Sequence, residues 1–125
     1  MIAKIGQVMV YVRDQDAAVA FWTEKLGFTV MHDEDNDGMR WIEIAPRKDA
    51  ETSIVLHDKN LLEQMDTGLS LETPSLLFYA NNFEQLRNEL AGKGVTVGDI
   101  VEMPTGRTFN FADAEDNYFA VRETD

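Results

Sequence analysis

Residues 9–30 read MVYVRDQDAAVAFWTEKLGFTV, and residues 76–97 read LLFYANNFEQLRNELAGKGVTV. Set side by side without gaps, each begins with an apolar run, passes through a polar turn into a helical stretch, stops at a glycine and restarts with Thr-Val. Gly27 falls on Gly94, Thr29 on Thr96 and Val30 on Val97. Identities are few, but the order of elements repeats, which marks a fold built twice from one unit.

Outward from the first copy, residues 5–12 are rich in apolar and β-branched side chains and predict a strand. Asp14 and Asp16 supply caps for a helix over 17–26, and Gly27 is free to take the left-handed conformation that ends it. Ala18, Val19, Trp22 and Leu26 share one helical face, so that face packs on a sheet. A strand over 29–32, a polar turn over 33–38, and strands over 40–45 and 52–57 complete the unit. The second copy predicts a strand over 76–80, a helix over 83–91 with Phe83, Leu86 and Leu90 in one stripe, and strands over 95–101, 108–112 and 118–122. Between the copies, 60–73 mixes leucines with acidic residues and reads as a linker with a turn of helix. The organisation expected is one domain over 1–125: module 1 over about 1–58, a linker over about 59–74 and module 2 over about 75–125. Two βαβββ modules make an α+β fold in which each sheet curves around a concave face with its helix outside, and two such sheets form an open, cleft-containing barrel.

The chain has 125 residues, and its 11 Lys and Arg against 23 Asp and Glu give a net charge of −12. This length buries a core without metal or disulfide support. The absence of cysteine excludes disulfides, thiolate zinc sites and thiol nucleophiles. No leader-like stretch stands in residues 1–14 and no long apolar run follows, so the expectation is a soluble, cytoplasmic protein. The acidic charge disfavours nucleic acid and anionic membrane as partners and suits a neutral or cationic ligand.

The runs AVAFWTEKLGF, DGMRWIEI and FNFADAEDNYFAV together resemble the vicinal oxygen chelate superfamily, which includes glyoxalase I, extradiol dioxygenases, and fosfomycin- and bleomycin-resistance proteins. The likeness spans both halves. The superfamily's closing Asp-Pro-Asp-Gly-Asn turn is here Asp113-Ala114-Glu115-Asp116-Asn117, without its proline and glycine. The resemblance implies a glyoxalase/bleomycin-resistance fold and a homodimer, and a fold of this kind hosts several chemistries, so function must come from the site.

Metal-dependent members resemble one another in placing His or Glu at four inward-facing strand positions. In this chain those positions fall on Gln7, Val55, Ser75 and Val121. None carries a strong ligand, so no metal and no cofactor is expected. A shift of two residues along a strand keeps the face, and such shifts bring in only His57, Glu123 and Glu43. The acidic turn 33–38 superficially matches the start of a calcium loop, but Ile44 stands at its twelfth position, so it reads as a solvated hairpin.

Alternation from Gln7 puts Met9 and Tyr11 on the same face. It likewise groups Trp41 with Glu43, Val55 with His57, Ser75 with Leu77 and Tyr79, and Phe119 with Val121. The strand 108–112 leaves its inward face open: Phe109 and Phe111 share one side, Thr108 and Asn110 the other. These residues read either as an aromatic ligand pocket with polar anchors or as plain core. Trp41 and Glu43 together suit a cationic group. Arg107 either binds an anionic group or pairs with a carboxylate, and His32 reads as a surface residue. Three functions remain open: a metal-free small-molecule binder, as in antibiotic or toxin sequestration; a metal-dependent lyase or dioxygenase; and a metal-free enzyme with Glu43 or His57 as general base.

Overall fold

The computed structural model describes residues 1–124 of the chain. Its elements are β1 (Gln7–Val12), α1 (Gln15–Ala20), a π-helical turn (Phe21–Lys25), β2 (Thr29–Asn36), β3 (Met39–Ala45), β4 (Ser53–Asp58), α2 (Lys59–Met65), β5 (Leu77–Ala80), α3 (Phe83–Gly92), β6 (Val101–Met103), β7 (Gly106–Ala112) and β8 (Tyr118–Glu123). They gather into two compact units, unit 1 (Met1–Pro74) and unit 2 (Ser75–Asp125).

Unit 1 holds a four-stranded sheet in the order β1-β4-β3-β2, and unit 2 repeats it as β5-β8-β7-β6. In each, the first strand pairs parallel with the last, and the remaining pairs are antiparallel. This is the βαβββ order expected from the repeat. Both sheets are open at their edges, and with the helices they make an α+β protein.

In unit 1 the register aligns Val10 with Leu56 and Leu56 with Ile42, and likewise Ile54 with Ile44. Opposed residues share a face, and these side chains are buried with Ala18, Phe21 and Trp22 of the helical segment. The helix starts at Asp14, whose side chain accepts from the backbone N–H of Ala17. It does not run on as an α-helix to residue 26: the π turn intervenes, and the N–H of Phe28 reaches back six residues to the carbonyl of Trp22. In unit 2 the corresponding bond, from Val95 to Leu90, spans five. Unit 1 thus carries one extra residue between helix and glycine, held in the wider turn. The gapless match of the copies is right from Gly27 and Gly94 onward and slips by one before them, so Trp22 corresponds to Leu90, Tyr11 to Tyr79 and Gln7 to Ser75.

Three other expectations change. The strand expected over 29–32 continues through the acidic run as β2 to Asn36, because Arg40 of β3 binds Asp33 through Nε at 2.9 Å and Nη2 at 2.8 Å. The turn shrinks to Asp37 and Gly38, both at positive φ (54° and 87°), which a two-residue hairpin of this hand requires. The strand expected over 95–101 is reduced to a bridge between Val97 and Phe111, followed by the short β6. In the linker, Asp58 caps the seven residues of α2, a full helix rather than a turn.

Unit 2 packs its sheet on α3 with phenylalanines. Phe109 faces Val121 and Phe111 faces Phe119 across β7 and β8, and Phe83 of α3 meets Phe109 with ring centroids 5.1 Å apart. The altered closing turn holds its shape through Asp113, which accepts from the backbone N–H of Glu115 and of Asn117, each at 2.9 Å, and from Asn117 Nδ2.

Candidate functional site

In unit 1 the residues expected to share a face do so. Gln7, Met9 and Tyr11 of β1 lie opposite Ser53, Val55 and His57 of β4, and Val55 and His57 lie opposite Glu43 and Trp41 of β3. Tyr11 and His57 stack with centroids 6.1 Å apart. His32 of β2 joins the same face because a bulge between Val30 and His32 shifts the register, and it approaches the Trp41 ring at 6.2 Å. An aromatic row thus crosses the sheet from β1 to β2.

Glu43 is the polar centre of this face. Ser53 Oγ donates to its Oε2 at 2.6 Å, Gln7 Nε2 donates to the same oxygen at 3.1 Å, and His32 Nδ1 donates to Oε1 at 2.7 Å. The Ser53 bond first, then the His32 bond, hold the carboxyl below its ordinary value against the opposing effect of partial burial. Its side chain is 16% exposed, and it lines a cavity of about 500 Å³ with Lys4, Gln7, Met31, Glu51 and Ser53, a wall that does not include Tyr11, Trp41 or His57. A carboxylate kept ionised in this way is fitted to attract a cation or a hydrogen-bond donor. It sits further from the neutral-pH range that suits a general base. His57 is pushed down by burial and stays neutral near pH 7.

Sequence reasoning missed Ser53 and His32 as partners of Glu43. Ser53 was within reach, since it shares strand parity with Val55. The bulge that turns His32 toward Glu43 leaves no mark in the composition, and its ring stays 56% exposed, in keeping with the surface residue expected.

Unit 2 divides its expected site residues between two faces. Leu77 and Tyr79 stand opposite Ala120 and Arg122, and Ser75 and Leu77 line a cavity of about 700 Å³ with Thr108, Asn110 and Arg122. Phe119 and Val121 are not with them. Each is 2% exposed, in the core among Phe109 and Phe111. On β8 the structure departs from the expected parity: its most apolar residues, Phe119 and Val121, take the helix-covered side, where burial is most favourable. Thr108 and Asn110 are the cavity side of β7. Arg107 lies apart from both cavities, its Nη2 at 2.6 Å from Glu123 and its Nη1 at 2.5 Å from Glu84, with the guanidinium over Phe83. Of the two readings offered for it, the structure takes the carboxylate pair.

The metal positions implied by the family likeness do not fit an imidazole and carboxylate ligand set. Gln7 turns an amide N–H toward Glu43, Val55 offers only hydrocarbon, Ser75 offers one hydroxyl, and Val121 is in the core. Of the neighbouring candidates, Glu123 is bound to Arg107. Among the described residues, no group of three or more His, Asp or Glu side chains is arranged to hold a metal, and no helix is long and apolar enough to cross a membrane.

A four-stranded sheet made twice in one βαβββ order, each with a helix on one side and a lined hollow on the other, defines a class of protein that comparison identifies. Residues 4–121 match the model of the Glyoxalase/Bleomycin resistance protein/Dioxygenase superfamily, and the chain belongs to it. The protein YetH of Bacillus subtilis (strain 168) is 34% identical over 128 residues, spanning 98% of this chain and 100% of its own. Among solved structures, TnmS3, an antibiotic binding protein from Streptomyces sp. CB03234, is 27% identical with a TM-score of 0.83, covering 99% of this chain and 98% of that one. A superfamily member from Sphaerobacter thermophilus DSM 20745 is 25% identical with a TM-score of 0.82, covering 98% of each chain.

Proposed function

We propose that this protein binds a small organic molecule on the Glu43 face of unit 1 without a catalytic metal, and acts by holding that molecule rather than transforming it. A cationic group meets Glu43 in its cavity, and an aromatic body attached to it extends along the same sheet face to Trp41, His57 and Tyr11, beyond the cavity wall. The observation that carries this reading is the Glu43 carboxylate, kept ionised by Ser53, His32 and Gln7 at the wall of a cavity of about 500 Å³. Aromatic rings beside a carboxylate recognise organic cations through their π faces and charge together. The antibiotic binding described for TnmS3 supports sequestration of an antibiotic or toxin as the biological use. In this reading the protein is a cytoplasmic homodimer, supported by a cysteine-free composition and by open sheet edges available for pairing.

The test is calorimetric titration with 1-naphthylmethylammonium and with the neutral 1-naphthylmethanol, on the wild type and on Glu43→Gln. The ammonium is expected to bind about tenfold or more tightly than the alcohol, in keeping with a charge-assisted hydrogen bond, and the preference is expected to vanish in Glu43→Gln. Equal binding of both probes to the wild type contradicts the reading. So does stoichiometric nickel, zinc, manganese or iron retained through dialysis.

A further inference from the structure

The chain has six arginines, and in so acidic a protein each has carboxylates to choose from. Arg13, Arg40, Arg47, Arg87 and Arg107 all sit within salt-bridge distance of one. Among the described residues Arg122 does not, and the partner of its guanidinium there is Tyr79: the guanidinium carbon lies 4.5 Å over the ring, and Nη2 donates to the phenol oxygen.

Its setting is a built one. Arg122 lines the cavity of about 700 Å³ in unit 2. Thr108 is its register partner across β7 and β8, and Asn110 follows on the same face opposite Ala120. Its aliphatic stem passes Gly106, where an added Cβ would meet Cγ and Cδ at 3.6 Å and where φ is +136°, a conformation few other residues take. Bare backbone therefore borders the stem, and the Tyr79 ring borders the head. Leu77, Val101 and Met103, which stand around the same cavity, are each about half exposed. Asp99, also at the wall, lies 3.9 Å from Arg87.

We propose that Arg122 is the anchor of a second binding site, on unit 2, for a small organic carboxylate. The guanidinium has five N–H donors in a planar fork, and one is taken by Tyr79. The remaining donors match the two oxygens of a carboxylate, Thr108 and Asn110 supply neutral hydrogen bonds beside it, and Leu77, Val101 and Met103 cover an apolar body. The apolar walls select an organic anion over inorganic phosphate. This site has the opposite sign to Glu43 and shares no residue with it, so either can fail without the other.

The experiment is fluorescence titration with 1-naphthoate and with the uncharged 1-naphthamide, on the wild type, Arg122→Gln and, as a control, Arg47→Gln. The wild type is expected to prefer the carboxylate by about tenfold or more, the range of a charged hydrogen bond. Arg122→Gln is expected to lose that preference while keeping its affinity for the amide, and Arg47→Gln to behave as wild type. Equal binding of the two probes to the wild type overturns the proposal, as does a preference that survives in Arg122→Gln. Sedimentation of the same samples covers a further case: if naphthoate does not bind and Arg122→Gln dissociates a dimer, the guanidinium serves a carboxylate of a second copy, which also overturns it.

Discussion

Units 1 and 2 share a strand order, a helix position and even an arginine device, yet differ in what each buries and in the charge each presents. Arg40 of β3 joins Asp16 in the first turn of its helix to Asp33 on the neighbouring β2. Arg107, at the equivalent place on β7, joins Glu84 in the first turn of α3 to Glu123, but on β8, the neighbour of the other side. Both acids stand at helix N-termini, where negative charge is favoured. The helix-to-sheet clamp has thus survived divergence while its second partner changed strands. Beneath it, unit 1 fills the core from the helix with Trp22, whereas unit 2 has the smaller Leu90 and fills it from the sheet with Phe109, Phe111 and Phe119. On the opposite faces, Glu43 and His57 in one unit correspond to Asn110 and Arg122 in the other. Shared backbone positions therefore hold the fold, and the face away from the helix is free to change sign.

Deleting one residue from each helical segment separates the two units most strongly. Removing Asn88 from α3 rotates one flank by a full residue step and misplaces Phe83 or Leu90, at an expected cost of about 3 kcal/mol or more in urea unfolding. Removing Glu24 from the π turn leaves an ordinary α-helical turn with the spacing of unit 2, at a cost of about 1 kcal/mol or less. Equal losses contradict the view that the π turn absorbs one extra residue. Next in size, Trp22→Ala is expected to cost about 4 kcal/mol and Leu90→Ala about 3 kcal/mol, since both leave cavities and the larger side chain leaves the larger one; chemical denaturation measures both.

The carboxyl of Glu43 is held below its ordinary value of 4.5 in the fold. Its stabilising effect is present above the unfolded value and is lost as pH falls through the folded one. Removing its strongest donor in Ser53→Ala is expected to cost about 1–2 kcal/mol at pH 7, and the Tm difference from wild type narrows as the pH drops below about 4.5. Asn110→Ala, at the equivalent place in unit 2, is expected to show no such narrowing. The smallest effect belongs to His57, lowered by burial from 6.5. The unfolded chain takes up its proton first, so wild-type stability declines as pH falls below that value. His57→Gln is expected to flatten thermal melts across that window, and Arg122→Gln to leave the slope unchanged.

Much of the fold was legible because the repeat is written in punctuation: glycines at 27 and 94, Thr-Val after each, and apolar runs before. The slip of one residue was not, since a π turn has no residue signature and only the change in hydrogen-bond span reveals it. The run Asp33 to Gly38 looked like a turn because acidic residues disfavour strands, and tertiary pairing of Arg40 with Asp33 overrode that preference. In unit 1, alternation put Gln7, Tyr11, Trp41, Glu43 and His57 on one face of the sheet, as the register has them. It failed on β8, where aromatic Phe119 looked suited to a pocket and was instead drawn into the core, leaving Arg122 unremarked. His32 needed the bulge before it, a feature set by backbone geometry alone.

Two copies of one unit are proposed to present sites of opposite charge. The most direct measurement follows backbone amide resonances of the isotopically labelled protein during separate titrations with 1-naphthylmethylammonium and 1-naphthoate. The ammonium is predicted to shift Trp41, Glu43, Ser53 and His57, and the carboxylate to shift Thr108, Asn110, Ala120 and Arg122. Two probes that move the same set of residues, or a carboxylate that moves the Glu43 group, contradict the claim.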